Sequence, residues 1–146
     1  MSQLAGVSIQ QPTEAQCFRV AAEAMLAGAR PLANVAPQPS LALTLLCGHG
    51  TESALKALLA QTGLTAAQLS HSPYGHNLVA LWDKAISARA PVANPRPQWL
   101  DHLHRVYATP FHLRYPLGFH GIVLPNMQLM LAGFESLVLA AVEEIK

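Results

Sequence analysis

Charge is scarce in this chain. Only 12% of its 146 residues are Asp, Glu, Lys or Arg, about half the share of roughly 25% usual for soluble domains. Nine basic and eight acidic residues are scattered, with no basic run and no interleaving of aromatic and basic residues. That excludes bulk electrostatic capture of nucleic acid and leaves only local contacts with it. Hydrophobic residues make up 51%, and so thin a charged skin is expected to cover part of its apolar surface with another subunit.

Cysteine is almost as rare. Cys17 and Cys47 stand 30 residues apart in expected helices. They form neither a metal pair nor a disulfide framework, which suits a reducing compartment and two buried thiols. Unbroken apolar runs are missing too. Tyr115 to Phe134 has no formal charge, but Pro116, Gly118, His120, Gly121, Pro125 and Asn126 interrupt it, so a membrane span is not expected. The N-terminus lacks the positive, apolar, small-residue order of a signal peptide. The expectation is a soluble cytoplasmic protein. Strand patterns, repeats and low-complexity segments are absent as well.

What remains is helix periodicity. Residues 1–12 read as a loose lead-in, and residues 13–146 as a single helical domain of a size that buries a core. Thr13 and Gln16 have capping-box spacing. Phe18, Ala21, Ala22, Met25 and Ala29 then share a face up to Pro31. Ser40 is the expected N-cap of a long central helix with a stripe of Leu41, Leu45, Gly48, Glu52, Leu55 and Leu59, closed by Gly63. Thr65 and Gln68 cap a short turn. Asn77 starts a helix with Leu78, Leu81, Trp82, Ala85 and Ile86 inside. A fourth begins near Pro97, with Trp99, Leu100, Leu103, Val106 and Tyr107 inward, and Asn126 caps a last one whose core side is Leu129, Ala132, Gly133, Leu137, Ala140 and Ala141. The fold class is all-α, a five-helix up-and-down bundle.

Two members of the central stripe are anomalous. Gly48 removes a side chain and lets a neighbour approach. Glu52 sets a carboxylate where leucine is expected, so it needs a partner, and Lys56 one turn later is well placed. The couple reads either as an ion pair fixing helix register or as a polar ligand-binding site completed by His49 and His76, with Lys56 meeting a phosphate or carboxylate. Six of the seven histidines lie between His71 and His120, but their spacings match no metal motif and no metal site is assigned. Arg105 with His112, and Arg114 with His120, pair a phosphate-holding guanidinium with an acid–base imidazole. Those groups suffice to cleave RNA through its own 2′-hydroxyl.

The helical ESALKALLAQTG, the following GHNLVALWDKA and the RYP after a further helix resemble the HEPN (higher eukaryotes and prokaryotes nucleotide-binding) superfamily. Its members show a Glu-x-x-Leu-Lys-Ala-Leu helix and then a Gly-His-Asp/Asn-Leu helix start. The order of elements matches over Phe18 to Leu139, most sharply over residues 52–85 and 114–116. The resemblance implies a small all-α homodimer associated with nucleotides or RNA. It also implies metal-independent endoribonuclease activity, with Arg114 and His120, then Arg105 and His112, as catalytic candidates and no cofactor. In the family's ribonucleases a polar residue usually follows the arginine; here Val106 follows Arg105 and Tyr115 follows Arg114. The alternative is a non-enzymatic interaction module that partners a nucleotidyltransferase or serves a stress-response system. A bundle binding a small molecule through Lys56, Glu52 and His76 is a third reading.

Overall fold

A computed structural model describes residues 10–108, 111, 113 and 122–146, and they are all-helical. In chain order the helices are α1 (Glu14–Leu32), α2 (Ser40–Gln61), α3 (Ala66–Ser70), α4 (Leu78–Ser87), α5 (Gln98–Tyr107) and α6 (Met127–Glu144). The short capped turn after Gly63 is the sixth helix, α3.

Helix α2 is the hub: α1, α3, α4, α5 and α6 all pack on it. Its buried residues include Leu43, Cys47, Gly50, Ala54, Leu55, Ala57, Leu58 and Leu59, which cover more than half of the helix circumference. So broad an apolar face is that of a helix packed by several neighbours. The expected single stripe is therefore too narrow, and Leu41 at its start is exposed.

Capping chemistry sets the ends. Thr13 with Gln16 and Thr65 with Gln68 form full capping boxes on α1 and α3. Asn77 and Asn126 accept from the backbone N–H three residues on, starting α4 and α6. Gly63, at φ +114°, closes α2: its N–H donates to the Ala60 carbonyl and the Leu64 N–H to that of Leu59. This is a Schellman ending, which favours glycine. Ser40 is not a cap; it is the first residue of α2, after Pro39. Pro31 lies within the last turn of α1 rather than ending it.

Three glycines seat aromatic rings. A Cβ on Gly48 would stand 2.5 Å from the Tyr107 ring, one on Gly50 would collide with Phe134, and one on Gly133 with Trp99. These contacts lock α5 and α6 to α2 and to each other. Arg96 strengthens the α4–α5 link from the connector, giving its Nε to Asp101 at 2.6 Å and a terminal nitrogen to Asp83. In α6 the inner side is Met130, Phe134, Leu137, Val138 and Ala141, while Leu129 and Ala132, expected inside, are exposed. Among the described residues, no helix is long and apolar enough to cross a membrane.

Replacing Gly50 with alanine should force the Phe134 ring aside and destabilise the fold by about 1–3 kcal/mol, as overpacking does. Gly28, whose added Cβ meets only Leu46 at an ordinary 3.6 Å, should instead gain up to about 1 kcal/mol on change to alanine. Urea midpoints of Gly50→Ala and Gly28→Ala should move in opposite directions.

Candidate functional site

The Glu52 carboxylate is the meeting point of three segments: α2, the α3–α4 loop and α5. Glu52 faces out of α2 beside the notch at Gly48, where the Tyr107 ring of α5 lies. Its Oε1 accepts from the Tyr107 hydroxyl at 2.7 Å and from His76 Nδ1 at 2.7 Å; its Oε2 accepts from Lys56 Nζ at 3.1 Å. The Tyr107 hydroxyl also lies 3.1 Å from His49 Nδ1. His49, Glu52, Lys56 and His76 are thus brought together as the chain pattern suggested, and Tyr107 joins them.

Proton counting assigns the roles. An ionised carboxylate only accepts, so His76 carries its proton on Nδ1. The single Tyr107 hydroxyl proton goes to Glu52, so His49 Nδ1–H donates to the phenol oxygen. Hydrogen bonds then run from His49 through Tyr107 to Glu52, and from His76 to the same oxygen.

Electrostatics keep Glu52 ionised. Burial pushes its carboxyl pKa up, but the hydrogen bonds from His76 and Tyr107 and the Lys56 charge outweigh it and hold the pKa below the ordinary 4.5. The Lys56 side chain is only 8% exposed and the Glu52 side chain 12%, against 43% for His76. Lys56 is therefore spent on Glu52 and does not face solvent; of the group, His76 is the member most open to a ligand.

His76 lines a pocket of about 320 Å³ formed by the loop between α3 and α4 and by the end of α5. Ser72, Tyr74, His104, Ala108 and Phe111 share the wall. Gly75, at φ +47°, supplies the left-handed turn that brings the loop round to α4. The His76 ring meets the Tyr107 and Phe111 rings edge to face at 6.2 and 5.6 Å. With Nδ1 bound to Glu52, Nε2 is the ring nitrogen left for an occupant of the pocket. His104 is half-buried, and burial lowers its imidazole pKa.

Arg105 is exposed on α5 and makes no hydrogen bond or ion pair with this group among the described residues. His112, Arg114 and His120 lie outside the described residues. No three His, Cys, Asp or Glu side chains converge to hold a metal among the described residues. Cys47 is buried, its thiol pushed up to about 12 by desolvation, whereas Cys17, expected inside, is exposed.

Tyr107 and His104 were missed as site residues by sequence reasoning. A tyrosine in an otherwise apolar helix face was the available signal, because a buried phenol hydroxyl requires an acceptor, and Glu52 required donors. For His104 no local signal existed. No family model, curated protein or solved structure matches the chain.

Two tests follow from the buried carboxylate. Lys56→Met leaves it without a counter-charge and should cost about 3 kcal/mol, part of which Glu52→Gln should restore in the double variant. Since Glu52 is more acidic folded than unfolded, its contribution is complete above pH 4.5 and is lost as pH falls through its lower folded value. Stability against pH, measured by urea unfolding, should fall less steeply on acidification in Glu52→Gln than in the wild type.

Proposed function

We propose that this chain is a HEPN-like helical module, working as a homodimer, that takes a nucleotide or RNA segment into the pocket beside His76. Its chemistry there is metal-independent phosphodiester cleavage. The observation that carries the reading is the 2.7 Å bond from His76 Nδ1 to the buried Glu52 carboxylate. A carboxylate behind an imidazole fixes its tautomer and orients the ring, as general acid–base chemistry requires. The pocket volume of about 320 Å³ suits a small ligand.

In this reading one imidazole removes the proton of an RNA 2′-hydroxyl. The 2′-oxygen attacks phosphorus, a 2′,3′-cyclic phosphate forms, and the bond to the 5′-oxygen breaks. A second proton donor supplies the leaving oxygen. His76 is the first group, and His104 in the same pocket or His120 the second. Lys56, Tyr107 and Glu52 hold His76 in place.

A non-enzymatic module that docks on a nucleotidyltransferase or a stress-response protein is the second reading. Exposed Leu129 and Leu139 on one side of α6 favour it, since exposed apolar side chains on one helix face offer a docking surface.

Incubating the protein with a labelled single-stranded RNA in excess EDTA tests the first reading. The wild type should cleave, and His76→Ala should be slower by about 100-fold or more while its circular dichroism is unchanged. Absence of both RNA cleavage and nucleotide binding in the wild type rejects the proposal. Cleavage that survives His76→Ala but stops in His120→Ala moves the chemistry to Arg114 and His120.

A further inference from the structure

Helix α6 has an outer face on which no other described residue is packed. Leu129 is 62% exposed and Leu139 54%, and Ala132 and Ser136 between them are exposed too. The steps of three, four and three place all four on one side of the helix. From Leu129 to Leu139 that side is free of charge; the nearest charges are Glu135, held at its flank by Arg30 of α1, and Glu143 beyond it.

The order along the face is large, small, small, large. An antiparallel copy of α6, related by a two-fold axis passing near Phe134, sets Leu129 against Leu139 and Ala132 against Ser136, since both pairs are symmetric about position 134. The small central pair lets the helices approach, and each leucine meets a leucine. An isologous contact requires this self-complementarity, in which residue i meets j and j meets i. Charge agrees with it. Glu143 and Glu144 close α6, at the end where the helix dipole disfavours acids; in the antiparallel pair they lie by the partner's α6 N-terminus, where acids are favoured.

An 18-residue helix is about 27 Å long. Beside its Gly133–Leu137 segment runs an apolar groove of about 260 Å³ walled by Trp82, Pro91, Pro97 and Trp99. A specific interface of roughly 800 Å² per partner would draw on both the helix face and the groove rim.

We infer that the Leu129–Ala132–Ser136–Leu139 face of α6 is the surface on which a second copy of this chain docks, antiparallel. This names the contact for the dimeric part of the reading above and is independent of the His76 pocket, so either can fail alone.

Sedimentation velocity over a concentration series should show a reversible monomer–dimer equilibrium. The double variant Leu129→Glu/Leu139→Glu, altering only exposed side chains, should be monomeric over the same range with unchanged circular dichroism. For geometry, Ala132→Cys/Ser136→Cys in a Cys17→Ser background should oxidise to a covalent dimer, because each new thiol faces its counterpart across the axis. A wild type that stays monomeric up to its solubility limit overturns the inference. So does a dimer that persists in the double glutamate variant, which would shift the contact to the Cys17–Val20–Ala24–Ala27 side of α1.

Discussion

A carboxylate cannot remain ionised inside an apolar bundle unless its hydrogen-bonding capacity is filled and its charge is opposed. Glu52 sits in the wall of the most buried helix, and its requirement is met from three directions: Lys56 from its own helix, His76 from the α3–α4 loop, and Tyr107 from the end of α5. Each donor fixes the segment that carries it. The loop could otherwise adopt many paths between α3 and α4, and one hydrogen bond at its C-terminal end selects the path that forms a pocket. The same bond decides which histidine nitrogen faces that pocket.

Glycine makes the geometry attainable. The Tyr107 hydroxyl reaches Glu52 because the Tyr107 ring packs against α2 at Gly48, where a side chain would collide with it. Phe134 uses Gly50 in the same way, and Trp99 uses Gly133. Two glycines inside α2 cost about 1 kcal/mol each in helix propensity relative to alanine, which burial of two large aromatic side chains offsets. The helices therefore meet through rings in notches rather than through a leucine seam, and the polar group is built at the edge of one notch.

How much of this the chain discloses before folding depends on whether a signal is local. Caps are local, and Thr13, Thr65, Asn77, Asn126 and Gly63 announce their helix ends in a few residues. The inward side of α5 is equally plain because that helix is strongly amphipathic. Where a helix is apolar on several sides, periodicity no longer selects a face. For that reason periodicity puts Leu41, Leu129 and Ala132 inside and does not single out Met130 and Phe134, which fill the core. Glu52 and Lys56 stood out as charges in an apolar stripe, and their need for partners was legible. That Tyr107 is a partner beside His76 was not, because it lies 55 residues away and only tertiary packing brings it in.

Exposure divides labour within the polar group. A ligand-binding lysine must present its ammonium, yet Lys56 is nearly closed off and faces Glu52. Its part is to keep the carboxylate charged, the carboxylate's part is to hold an imidazole, and the imidazole is the one component that reaches the pocket. A change at Lys56 thus acts on any bound molecule through two intermediaries, whereas a change at His76 acts on it directly. The direct phosphate contact conceivable for Lys56 gives way to a supporting one, and among the described residues the pocket wall offers two imidazoles, a phenol, a hydroxyl and an amide, which supply proton transfer and hydrogen bonding without a permanent charge. A pocket of that kind attracts little through bulk electrostatics, in keeping with the sparse charge of the whole chain, and must recognise its occupant by shape and hydrogen-bond placement at close range.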